Sequence, residues 1–186
     1  MMAWKALYKS GVCRMNVHFE DKKSFTVIGK VGQGLSAESH NWIPAIWQEA
    51  NNKFEEIRNL AKTDREGNIV GIWGAMSDLS ESFERWTDQG KYLAGCEVLD
   101  NSAAPNGWTK WIIPPYKYAV IKCNQNTYQE KFKHMIHEFL PDHNYSIVGA
   151  VHEFYNPVET NGNLYLYFPI EKLDNEQSAE ASVYTE

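Results

Sequence analysis

The sequence predicts an α+β domain made of two βαββ copies, an antiparallel sheet carrying two main helices. Three observations carry this expectation. Apolar alternation of period 2 recurs in six separate stretches, and two other segments carry an apolar stripe of helical period. The order strand–helix–strand–strand then occurs twice, over residues 24–99 and 110–172. Identity between the copies is slight, so the repeat is one of pattern. Two copies related by an approximate two-fold axis leave a cleft where they meet, a common place for a ligand.

Taken in order, residues 1–23 mix Trp4, Leu7, Tyr8 and Val12 with charges, show no clear period and are expected as an N-terminal arm. Ser24–Val31 reads as a strand ended by Gly32 and Gly34. A helix capped near Asn41, with Pro44 tolerated in its first turn, follows. Its apolar residues Ile43, Trp47, Ala50, Phe54, Ile57 and Ala61 make one stripe that packs on a sheet. Ile69–Met76 and Tyr92–Leu99 are the next strands, and Asp100–Gly107 is a loop that divides the copies. In the second copy, Trp111–Lys122 is a strand interrupted at Pro114-Pro115, so its pairing part is expected at 117–123. A helix from Tyr128 to Leu140 with Pro141 just past its end, then strands at 147–155 and 163–171, complete it. The ordered domain is thus expected over 24–173, with an acidic, disordered tail over 174–186.

The composition narrows the function classes. A net charge of −6 leaves nucleic acid without its usual electrostatic attraction. No run of eighteen apolar residues is present, and the N-terminus lacks the continuous apolar core of a secretion signal. Cys13, Cys96 and Cys123 are odd in number and widely spaced, which fits reduced thiols in a cytoplasmic protein better than disulfides or a zinc site. His134 and His137 lie near one another on a helix with no third ligand placed beside them, so no metal is expected. Neither a Gly-rich phosphate loop nor a nucleophile elbow is present, and no cofactor or catalytic residue is assigned. The aromatic content of 13%, with seven tryptophans, is high, and leaves two readings: a dense core, or rings lining a pocket for a flat or cationic molecule.

Glu153 is the sharpest single signal. In Gly149–Tyr155 the alternation sends Val151, Glu153 and Tyr155 to one face, which puts a carboxylate among apolar residues. Such a group is protonated, hydrogen-bonded or awaiting a cation; a surface glutamate or an ion pair with a lysine such as Lys117 is the plainer alternative. Trp73 reads equally as a core plug or as a cleft wall. Trp47 sits on the helical stripe and reads as core with an edge toward the pocket. Tyr92 shares its face with the small residues Ala94 and Cys96, leaving room for a ligand. Trp111, beside the Pro114-Pro115 break, and Trp86, in a polar loop, are rim candidates.

The succession Phe25-Thr-Val-Ile-Gly29, Ile46-Trp47, Gly71-Ile-Trp73, Tyr92-Leu-Ala-Gly95, Ile113-Pro114 with Tyr118-Ala-Val120, Glu153-Phe-Tyr155 and Tyr167-Phe-Pro-Ile170 carries a resemblance. Over residues 17–172 the chain resembles the effector-binding domain of AraC-type transcription activators, the GyrI-like small-molecule-binding domain. The resemblance implies a tandem βαββ fold with an aromatic pocket between halves. It places Glu153 at the acidic position that meets cationic, hydrophobic drugs, and Tyr155 and Tyr167 beside it on the same face. Regulators of this group carry a helix-turn-helix region, for which the roughly twenty preceding residues are too few. The expected function is therefore a stand-alone module binding hydrophobic or cationic small molecules, without direct nucleic-acid or membrane binding, with a homodimer or a separate regulator protein as further partners. The alternative is a hydrolase of reactive electrophiles using the same pocket.

Overall fold

A computed structural model describes residues 16–159 and 161–174. In chain order the elements are β1 (Val17–Lys22), β2 (Phe25–Leu35), α1 (Ser39–Asn52), β3 (Ile72–Ser77), β4 (Gln89–Val98), β5 (Thr109–Ile113), β6 (Tyr116–Asn124), α2 (Tyr128–His134), β7 (His152–Tyr155) and β8 (Asn163–Lys172). The strands form one sheet in the order β1-β6-β8-β7-β3-β4-β2-β5, with every neighbouring pair antiparallel. This is the α+β class that the patterning predicts. Each copy contributes three consecutive strands, and the copies join along β3 and β7 at the middle of the sheet.

The two outermost strands are exchanged between copies. β1 leads into β2 but pairs with β6, while β5 leads into β6 but pairs with β2. Only Lys23 and Ser24 separate β1 from β2. Three extended peptide steps span about 10 Å, whereas six strand spacings across a flat sheet come to about 29 Å. The sheet therefore curls until its ends approach, and the two-residue Pro114-Pro115 link imposes the same condition from the other side. Inside the curl lie Phe25, Trp73, Trp111, Tyr118 and Tyr167, all buried. A polar clasp closes it: Glu97 takes Lys22 at 3.3 Å, Lys62 at 3.0 Å and the Trp73 indole N–H at 3.3 Å. The helices cover the outer face.

Several boundaries differ from the sequence reading, each for a physical reason. Residues 17–22, expected within an arm, form an edge strand whose hydrogen bonds are made by backbone and need no apolar alternation. The remainder of that arm up to residue 15, with Cys13, and the tail beyond Asp174 lie outside the described residues. The Trp111–Lys122 strand is two strands at opposite ends of the sheet, divided by Pro114-Pro115. α1 begins at Ser39, directly after a 3-10 turn (Ser36–Glu38), and ends at Asn52. Its expected stripe continues through two further 3-10 turns that seat Phe54 and the fully buried Ile57. α2 runs on through a π turn (Met135–Phe139) into α3 (Leu140–Asp142), so Pro141 lies within the last turn. The wider turn precedes the residue that cannot donate to the ladder. Among the described residues, no helix is long and apolar enough to cross a membrane.

His152 lies inside the curl, fully buried, where its Nδ1 accepts the Met76 N–H at 3.1 Å and the ring proton accordingly sits on Nε2. Burial pushes this imidazole down to about 3. The unfolded chain therefore takes up a proton near pH 6.5 that the folded chain refuses, so stability present above that pH is lost as pH falls toward 3. Urea unfolding at pH 7 and pH 5 is expected to show wild type losing about 2 kcal/mol more than His152→Gln. Equal losses would contradict this role for the ring.

Candidate ligand-binding site

Pairing register decides which rings can meet Glu153. Gly74 lies opposite Glu153 and Ile72 opposite Tyr155 on the outer face, while Trp73 lies opposite Phe154 and Tyr167 opposite His152 on the inner one. Tyr167 is thus turned away from Glu153, correcting the expectation that the two share a face. Its hydroxyl donates to Glu20 at 3.1 Å, and its ring packs on Trp73 with centroids 5.1 Å apart. Trp73, 1% exposed, is the core plug and not a cleft wall. Trp111, opposite Val27, is likewise inside the curl and not on a rim.

On the outer face, between α1 and α2, is a cleft of about 1420 Å³. One turn after another of α1 faces it, presenting His40, Ile43, Pro44, Trp47, Gln48 and Asn51. Ile72 and Met76 of β3 form its floor, Trp86 stands at one end, and Tyr128 and Phe132 of α2 form the other wall. Trp86 is half-buried over Gly90, where a Cβ would collide with its indole, and it packs against Trp42 with centroids 5.6 Å apart.

Glu153 lies in the floor of this cleft, 8% exposed. Its Oε2 accepts the Tyr92 hydroxyl at 2.6 Å and the Tyr155 hydroxyl at 2.9 Å, and its Oε1 accepts the Tyr128 hydroxyl at 2.8 Å. The Trp47 indole N–H donates to the Tyr92 hydroxyl at 2.9 Å, which orients that hydroxyl toward the carboxylate. Three O–H donors on two oxygens suit a carboxylate, which only accepts. Burial, together with the charge of Glu153, holds the Tyr92, Tyr128 and Tyr155 hydroxyls above the usual phenol range, so all three stay protonated and able to donate.

Among the described residues, no lysine or arginine is one of the 25 that line the cleft, and none of them pairs with Glu153. The second carboxylate, Glu159 at the mouth, is already held by Lys122 at 2.7 Å and the Tyr165 hydroxyl at 2.6 Å. Of the sequence candidates, Glu153, Tyr155, Trp47 and Trp86 line the cleft, and Tyr92 reaches Glu153 from beneath the floor. Tyr128 is the residue sequence reading missed. The sequence reading names it only as the first residue of the second helix, and that place, directly after the Thr127 cap, is the signal that could have found it.

A large cleft seated on the seam of two like halves defines a small-molecule-binding protein. The chain matches the Cass2 family of integron-associated effector binding proteins over residues 18–178, and belongs to that family. Solved structures share the fold. SAV2435, solved bound to tetraphenylphosphonium, is 17% identical with a TM-score of 0.63, over 84% of this chain and 94% of that one. An integron cassette protein from the mobile metagenome of Vibrio cholerae is 13% identical with a TM-score of 0.53, over 83% and 95%. The C-terminal domain of EcmrR is 11% identical with a TM-score of 0.58, over 86% and 99%. No curated protein matches the sequence.

Gly74 makes the Glu153 cluster possible, because a Cβ there would fall on the Tyr92 hydroxyl and 2.9 Å from Glu153 Oε2. Gly74→Ala is expected to cost about 1–3 kcal/mol in urea unfolding, the range for overpacking a well-filled site. Tyr92→Phe removes the nearest colliding atom and leaves the ring carbon Cζ at 2.6 Å, so the double variant should regain part of the loss and be more stable than the sum of the two single losses. Additive losses would show that the hydroxyl and the missing side chain do not compete for one place.

Proposed function

We infer that the cleft binds amphipathic organic cations, aromatic or lipophilic, and that Glu153 is their counter-charge. The observation that carries this reading is a buried carboxylate, oriented by three hydroxyls, in a cleft whose described lining residues include no lysine or arginine. Trp47 meets Tyr155 edge to face at 5.1 Å, and these rings with Trp86 give a cation surfaces to stack on. Each such contact is worth roughly 0.5–2 kcal/mol depending on desolvation. A few of them with one charge-assisted contact approach the roughly 8 kcal/mol of micromolar binding. The binding of a lipophilic phosphonium by SAV2435, of the same fold, supports the reading. Ligand capture, for sensing or sequestration, is the function this cleft suits.

Trp47 and Trp86 provide the readout. Titration with tetraphenylphosphonium is expected to quench tryptophan emission saturably, with affinity falling about 10–100-fold in Glu153→Gln. Glutamine keeps the shape and removes the charge. Affinity within about twofold of wild type in a variant that unfolds normally in urea would reject Glu153 as counter-charge.

A further inference from the structure

The lining of the cleft combines rings with uncharged polar side chains. At about 1420 Å³ it exceeds the roughly 300–1,000 Å³ typical of drug-sized ligands, so a compact cation at Glu153 leaves a good part of it unfilled. Beside its rings, the lining is rich in neutral amides. Nine of the 25 lining residues are asparagine or glutamine, although 23% of the whole chain is charged. An ordinary solvated rim would carry lysines and glutamates at something near that frequency. Gln48 and Asn51 of α1 stand on one bank, and Gln125 and Asn126 of the turn before α2, with Gln129 in its first turn, on the other, all five solvent-exposed. These five side-chain amides enter no side-chain hydrogen bond among the described residues, unlike Asn124, whose Oδ1 accepts the Asn126 and Thr127 N–H groups.

An amide side chain donates and accepts, and so does a hydroxyl. Two facing rows of free amides therefore match a guest that presents many groups of both kinds and no charge. The geometry points to a two-part ligand: a hydrophobic cation whose charged end rests at Glu153, carrying a hydroxyl-rich, sugar-like arm that lies between α1 and α2. This rests on the cation reading of Glu153 and adds the class of substituent that the rest of the cleft selects.

A matched pair of probes tests it. Hexyltriphenylphosphonium and its analogue with a glucosyloxy group at the chain end share one cation and one linker. The sugar adds only its own groups to the same cation and linker, so tighter binding of the glucosylated probe reports contacts that the sugar makes, and removing the amides tests whether they are the partners. Two or three net hydrogen bonds predict a preference of about tenfold. The double variant Gln48→Ala with Gln129→Ala, at exposed helical positions where alanine is well tolerated, should erase that preference and leave the hexyl probe within about twofold. A glucosylated probe that binds no tighter, or a preference that survives in the double variant, would overturn the inference while leaving Glu153's role standing. Failure of the hexyl probe to bind wild type at all would overturn both.

Discussion

The hydrogen bonds from Tyr92, Tyr128 and Tyr155 to Glu153 are the constraint on which the outer face depends. A buried carboxylate with no partner would cost several kcal/mol, and here every partner among the described residues is a neutral donor. Hydroxyls satisfy the oxygens without cancelling the charge, so the floor of the cleft keeps a net negative site. A lysine in place of any one of the three tyrosines would satisfy the same oxygens and, on the proposed cation reading, cancel the counter-charge. The three rings also come from different parts of the chain, β4, α2 and β7, so the cluster ties both copies to the central seam.

The curl of the sheet makes that seam a dependable floor. Two-residue links between strands that lie six positions apart force the ends together, and the inner face becomes a dense aromatic core locked by Glu97, Lys22 and Lys62. Trp73, Tyr118 and Tyr167 fill that core, which leaves the outer face to carry the cleft. Since β3 and β7 present alternate residues to the two faces, one strand pair does both tasks: Trp73 and Phe154 face the core, while Gly74 and Glu153 face the ligand side.

Much of this was legible in the residues, and the rest failed for identifiable reasons. The two βαββ copies, the central helices and the singular position of Glu153 follow from period and from a carboxylate interrupting an apolar face. The faces of Trp73 and Tyr167 do not, because they depend on inter-strand register, and a shift of one residue turns a side chain to the opposite side. Tyr167 reads as a neighbour of Tyr155 until its partner is known to be His152. Trp111 reads as a rim residue only while one strand is taken to run through Pro114-Pro115, where the chain in fact divides into two. β1 escapes the pattern because an edge strand is paired through its backbone and carries no apolar alternation. Tyr128 was hidden by its own helix stripe, which serves both the core and the cleft.

Charge sign separates this account from one in which the cleft is only an apolar hole. Tetraphenylphosphonium and tetraphenylborate have nearly the same shape and opposite charge, so paired titrations isolate the contribution of Glu153 from that of the rings. Saturable binding of the phosphonium, with the borate at least about tenfold weaker, is the predicted result. Equal affinity for the two ions, or tighter binding of the borate, would contradict a cleft organised around an uncompensated carboxylate.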